Sequence, residues 1–74
     1  MPASKSYNVI LGSPNEKLSV FTPWDYSKME VKADGRKMDF EFEGNASPGK
    51  SVSEMFPSET FPFPLILNVS ISRV

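Results

Sequence analysis

The 74-residue sequence contains no cysteine and no histidine. Without cysteine the chain can form neither a disulfide framework nor a thiolate zinc site. Without histidine it has no imidazole metal ligand, no pH switch of the usual kind and no ordinary serine or cysteine triad. We therefore predict a non-catalytic protein that has no catalytic residues, no metal and no cofactor.

Long apolar runs are also missing. The first twenty residues contain only the short run Val9 to Leu11, whereas a secretory signal needs about 7–15 apolar residues and a membrane span about 20. We therefore expect a cytoplasmic or intracellular protein that does not contact a membrane. The formal net charge of -1 provides no general attraction to nucleic acid and argues against such a partner.

The short chain predicts one small β domain over residues 1–74. A domain of this size buries only about 60% of the surface that its unfolded chain exposes, and it usually needs disulfides, a metal or a partner for stability. Since the first two aids are excluded, we expect a protein partner or a homo-oligomer. The brevity of a chain that starts at Met1 suggests a viral or phage accessory protein.

Apolar residues recur with the period of two that is typical of strands. The pattern predicts an all-β fold of five mainly antiparallel strands, arranged as a small barrel or a sandwich, and the seven prolines argue against long helices. Strands are predicted at 6–11, at 17–22, in the two arms of 27–43, and at 65–72. The last strand is expected to be central, and residues 1–5 are expected to form a flexible N-terminus.

The sequence Asp34-Gly35, between two alternating runs, predicts a β-hairpin with a type I′ turn. This turn places Ala33 opposite Arg36. The register then follows along both strands, and its apolar pairs are Val31 with Met38 and Met29 with Phe40. One face of the hairpin is apolar and the other is charged, as in an antiparallel sheet with one packed side.

Residues 44–60 predict a long Gly/Ser/Pro-rich loop with at most one short helical turn, which follows a capping box at Ser51 to Glu54. The segment Gly44 to Ser51 also matches the phosphate-binding pattern G-x-x-x-x-G-K-[ST], in which Gly49, Lys50 and Ser51 would contact phosphate. The pattern normally precedes a full helix, and Pro57 stops this one within about two turns. Nucleotide binding is therefore our third hypothesis.

Large aromatic residues lie among prolines in the predicted connections. Stiff loops that carry aromatic side chains lose little conformational entropy on binding. We predict that the protein is an interaction or assembly subunit that docks through these loops or through a sheet edge. The predicted partner-binding residues are Trp24, Tyr26, Phe56, Phe61 and Phe63. The alternative is that these rings cap the open ends of the fold.

Four basic residues, Lys28, Lys32, Arg36 and Lys37, gather near the hairpin, and Tyr26 shares a face with the first two. A basic track with stacking aromatics is typical of proteins that bind single-stranded nucleic acid. A small β-barrel with that activity is therefore our second hypothesis. Interleaved acidic residues oppose it because they cancel the positive field.

Overall fold

Strands make up most of the chain, as the period-two pattern predicts. The computed structural model describes residues 3–74 and contains six strands and one short helix. Their bounds are β1 Ser4–Leu11, β2 Lys17–Leu18, β3 Tyr26–Ala33, β4 Arg36–Glu43, β5 Lys50–Ser51, α1 Val52–Met55 and β6 Leu65–Arg73. Four of them form an antiparallel sheet in the order β1-β6-β3-β4, while β2 and β5 pair separately.

The all-β prediction is confirmed, but its finer alternatives are not. Within residues 3–74 the sheet does not close into a barrel, because β1 and β4 form its two edges and do not pair with each other. The second layer contains only two strands of two residues and the four-residue helix α1. It is therefore smaller than the second sheet of a sandwich.

The β3–β4 hairpin has the predicted register. Ala33 lies opposite Arg36, and the apolar pairs are those that the sequence predicts. Asp34 and Gly35 have φ angles of 48° and 81°, so both central residues adopt the positive φ that a type I′ turn requires.

Strand β6 lies between β1 and β3, so the prediction of a central strand is confirmed. Its alternate side chains point into the core and are almost completely buried, namely Leu65, Leu67, Val69 and Ile71. The side chains between them face the other side of the sheet, where Ile66 is 60% exposed. The first half of β6 is apolar on both faces in sequence, yet only one face is covered.

The second layer covers the apolar face of the sheet and forms one continuous core with it. Leu18 and Val20 point inward as predicted, although the strand predicted at 17–22 is reduced to Lys17–Leu18. Residues 44–60, predicted as a loop, contain β5 and α1 as well as connections. The one helical face that the sequence indicates in this segment, formed by Val52, Met55 and Phe56, is buried in the core.

Strand β1 begins earlier than the pattern predicts. The structure pairs Ser4 with Ser72 and Lys5 with Ile71, inside the segment 1–5 that was expected to be flexible. Residues 1 and 2 of that segment lie outside the described residues. The polar residues before Tyr7 carry no alternation that could have indicated a strand.

We expect truncation of a core side chain to reduce the stability of the fold most at the centre of β6. Leu67→Ala should lower the free energy of unfolding by about 2–5 kcal/mol, because it removes a side chain with 0% exposure and leaves a cavity. The neighbouring Ile66→Ala, on the exposed face, should change it by less than about 0.5 kcal/mol. Urea unfolding measures both values. Equal losses would contradict this assignment of the two faces.

Candidate functional site

The five aromatic residues predicted to bind a partner lie in different environments. Phe56 and Phe61 are buried and pack edge to face, with ring centroids 5.6 Å apart and planes at 77°. Trp24 and Phe63 are half-buried against the core, and Tyr26 is exposed. Phe56 and Phe61 therefore fill the core, as in the alternative role that we considered, and are not available to a partner.

Trp24 and Tyr26 lie near each other because buried hydroxyls fix the connection before β3. The hydroxyls of Thr22 and Ser27 lie 2.9 Å apart, and the Trp24 amide donates to Thr22 Oγ1 at 3.3 Å. The Tyr26 hydroxyl donates to Glu43 at 3.4 Å. The two aromatic residues line a shallow depression of about 360 Å³, together with Pro23, Asp25, Arg73 and Val74. This depression is too open to anchor a large apolar side chain.

Each lysine predicted to bind nucleic acid has an acidic neighbour. Lys28 lies 3.7 Å from Glu41, while Glu30 lies 3.7 Å from both Lys32 and Lys37. All five side chains lie on the exposed face of the hairpin. Their charges cancel locally, so this face lacks the basic track that nucleic-acid binding requires.

Arg36 lies on the other face, because its partner in the register is the buried Ala33. Its guanidinium forms an ion pair with Glu59 and lies over the ring of Phe61, with Cζ 5.4 Å from the ring centroid. Guanidinium groups in this position are attracted by the ring electrons. Arg36 therefore helps to close the core and does not join the three lysines.

The segment Gly44 to Ser51 makes contacts within the fold that differ from those of a phosphate-binding loop. Its first half runs beside residues 20–22, with the Thr22 amide donating to the Asn45 carbonyl and the Ser47 amide donating to the Val20 carbonyl, both at 2.8 Å. Its second half becomes β5, and the helix that follows has only four residues. The Ser47 and Ser51 amides are thus already bonded within the fold, and the segment does not lead into the full helix that helps to bind an anion in a phosphate site.

Ser51 instead caps α1. Its hydroxyl accepts a hydrogen bond from the Glu54 amide at 3.4 Å and donates one to the Glu54 carboxylate at 3.0 Å. The Ser51 amide donates to the same carboxylate at 3.3 Å. The predicted capping box is confirmed. The hydrogen bond from the Ser51 side chain, followed by that from its amide, lowers the pKa of Glu54 below its ordinary value.

The most distinctive open feature is one edge of β1. The Arg73 amide donates to the Ala3 carbonyl at 3.0 Å, and these two residues are opposite in the register that pairs Ser4 with Ser72. Hydrogen-bonded and non-hydrogen-bonded pairs alternate along antiparallel strands. The odd-numbered residues of β1 therefore bond to β6, and the even-numbered residues point their N–H and C=O groups outward. We call these outward groups the β1 edge, which comprises Ser4, Ser6, Asn8 and Ile10.

No other strand of residues 3–74 pairs with the β1 edge. The side chains around it are mostly exposed, including Ile10 at 66% and Tyr7 at 38%. Partial burial raises the pKa of the Tyr7 phenol, and Tyr7 lies opposite the buried Val69 in the register. The edge therefore combines unpaired backbone groups with partly exposed apolar side chains.

The opposite edge, on β4, has a different character. The Gly44 amide donates to the Asp25 carbonyl at 2.6 Å, so the even-numbered residues of β4 bond to β3 and the odd-numbered residues point outward. All of those residues are charged, namely Lys37, Asp39, Glu41 and Glu43. Charged edges of this kind discourage strand addition.

The sequence predicts docking through a sheet edge but does not indicate which strand provides that edge. Sheet order was required to show that β1 and β4 are the edges. The sequence nevertheless distinguishes the two edge strands by their charge. β1 carries only one charged residue, Lys5, whereas most residues of β4 are charged. An edge strand that lacks protective charges is a candidate for pairing.

No protein-family model, no curated protein and no solved structure matches the chain. Across residues 3–74, no helix is long and apolar enough to cross a membrane. A functional proposal therefore depends on the geometry of the chain itself.

We expect the cap to matter for stability. Ser51→Ala should lower the free energy of unfolding by about 1 kcal/mol. The Glu54 amide loses its acceptor, and the Glu54 carboxylate keeps only the hydrogen bond from the backbone amide of residue 51. Ser19→Ala, at an exposed position, is the matched control and should have almost no effect. Chemical denaturation measures both. An unchanged Ser51→Ala variant would show that the capping box adds no stability.

The capping box also predicts a pH dependence. A carboxylate whose folded-state pKa is lowered contributes stability that is complete above its ordinary pKa of 4.5, and this contribution is lost as the pH falls through the lowered value. Wild-type protein should therefore lose more stability between about pH 6 and about pH 3 than Glu54→Gln does. Ser51→Ala should reduce this pH dependence by a smaller amount, because the hydrogen bond from the backbone amide of residue 51 to the Glu54 carboxylate remains. Identical urea midpoint shifts in all three proteins would refute the linkage.

Proposed function

We propose that this chain is a non-catalytic protein-interaction subunit that docks by accepting a strand along the β1 edge. The observation that supports this is the row of outward backbone groups on β1, which no strand within residues 3–74 satisfies. Such a row is a template for strand addition, in which main-chain hydrogen bonds provide affinity.

Side chains beside the edge would add specificity to the backbone contacts. An added strand would lie next to Tyr7 and the half-buried Val9 on the core side, and next to Ile10 on the other side. Covering partly exposed apolar side chains stabilises a complex in proportion to the area removed from water. Alternate side-chain positions thus provide two rows of recognition contacts.

The hairpin lysines, the Gly44 to Ser51 segment and the aromatic loops give weaker support to the other predicted functions. The lysines of the hairpin are paired with acids, which weakens the case for nucleic acid. Ser51 is committed to its helix cap, which weakens the case for nucleotide. Of the predicted aromatic residues, Trp24, Tyr26 and Phe63 remain accessible in part and can extend an interface. The depression beside Trp24 and Tyr26 is open and provides no anchor pocket.

A displayed library of random peptides tests this proposal. Selection against monomeric protein at low concentration should enrich extended peptides with alternating apolar residues. Asn8→Pro should abolish their binding, because it removes an outward N–H and places a ring on the β1 edge. It breaks no backbone hydrogen bond to β6 and removes only the exposed side-chain bond that Asn8 accepts from Asn68 at 3.1 Å.

Asp39→Pro is the matched control, since it makes the same change on the outward side of β4. It should leave peptide binding unchanged. Circular dichroism would first establish that both variants fold. If no peptide is enriched, or if the selected peptides bind Asn8→Pro as well as the wild type, the proposed docking mode is wrong.

A further inference from the structure

We infer that the occupant of the β1 edge is a second copy of this chain, paired antiparallel so that Tyr7 of one copy lies opposite Tyr7 of the other. This inference rests on the proposed function and names its partner. The result would be one continuous eight-stranded sheet, with the two β1 strands at its centre.

The backbone geometry of β1 is self-complementary in this register. A two-fold axis normal to the sheet at Tyr7 pairs Ser4 with Ile10 and Ser6 with Asn8 of the second copy. All of these residues point their N–H and C=O groups outward, as the hydrogen bond between Arg73 and Ala3 establishes. Each pair can exchange two hydrogen bonds. Shifted registers leave some of the outward residues beyond the end of the partner strand.

The side chains are compatible with the same register. On the core side, Tyr7 meets Tyr7 at a non-hydrogen-bonded pair, where side chains approach most closely. Lys5, the only charged residue of β1, lies opposite Val9 and not opposite its own copy. The interface therefore contains no facing pair of like charges.

The β4 edge cannot form the equivalent dimer as favourably. A two-fold axis at Phe40 would bring Asp39 of one copy opposite Glu41 of the other, and like charges directly opposite each other are destabilising. Lys37 would face Glu43 in that register and would offset part of this cost, whereas β1 faces no like charges at all. Pairing of β1 with β4 of another copy would leave one edge of each type open and would grow into a filament. Self-pairing of β1 closes the assembly at two copies and leaves the two charged β4 edges outermost.

Dimerisation would also provide the stability that a 74-residue chain without cysteine otherwise lacks. Small domains of this kind commonly depend on oligomerisation. Continuing the sheet across β1 would cover part of Tyr7, which remains 38% exposed in the single copy. The second copy is thus the partner that fits both the backbone and the composition of the edge.

Mass measurement by analytical ultracentrifugation over a dilution series tests the inference. The wild-type chain should show the mass of a dimer at high concentration. Asn8→Pro should raise the dissociation constant by about tenfold or more, since it removes hydrogen bonds at the interface, while Asp39→Pro should not change it. A wild-type monomer at every concentration, or mass that grows without limit, would overturn the inference.

A charge-swap pair provides a second test that does not depend on proline. Tyr7→Lys and Tyr7→Glu should each be monomeric, because the register places like charges opposite each other, and an equimolar mixture should recover a heterodimer. Tyr7 is partly exposed, so both variants should keep the fold. Failure of the mixture to associate would contradict the register.

Because the chain has no cysteine, single cysteines report the register directly. Tyr7→Cys should form an intermolecular disulfide on mild oxidation, since opposed residues of this type have Cα atoms about 4.5 Å apart. Asn8→Cys should not, because its partner is Ser6. Efficient cross-linking of Asn8→Cys instead would overturn the proposed register.

The two proposals can fail separately. If the chain stays monomeric while edge-dependent peptides are still enriched, the second copy is excluded and the docking mode stands. If the chain dimerises and Asn8→Pro leaves the dimer intact, the self-pairing inference is wrong whatever the peptides show.

Discussion

The structure depends on the position of β6 between β1 and β3. The buried side chains of Leu65, Leu67, Val69 and Ile71 form the centre of the core, and both neighbouring strands are joined to the sheet through this one element. Without β6 the hairpin would be an isolated pair of strands, which is at best marginally stable in water. The covering layer would also lose most of the apolar surface against which it packs. Because β6 lies between β1 and β3, strands β1 and β4 are left at the two edges of the sheet.

Short sequence patterns were sufficient to predict the hairpin and the helix cap, because neighbouring residues determine both structures. Asp34-Gly35 and the alternation around it defined the hairpin to the residue, because turn type and pleat leave one register in which the apolar side chains share a face. The capping box at Ser51 was also recognisable, since its two residues satisfy each other within one turn. The central place of the last strand followed from its unusually apolar first half. The hairpin and the helix cap needed no knowledge of the rest of the fold.

Features that depend on distant residues were not predictable in the same way. Phe56 and Phe61 lie in a segment without periodicity, so their burial follows only from the sheet face that they cover. Arg36 looked like one of four basic residues, and only the register shows that it faces Phe61 and Glu59 while the lysines face outward. The candidate site was the hardest to anticipate. An edge is defined by the strand that is missing beside it, and sheet order results from pairing between residues that are far apart in the chain.

The central position of β6 also has a consequence for synthesis of the chain on the ribosome. The strand begins at Leu65 and ends at Arg73, so β1 has no hydrogen-bonding neighbour within residues 3–74 until β6 begins to leave the exit tunnel. At about 5–20 residues per second, β1 spends several seconds as an unpaired apolar segment, whereas the hairpin can already form from adjacent residues. A sheet whose middle strand emerges after the others therefore assembles after translation of this region and not during it.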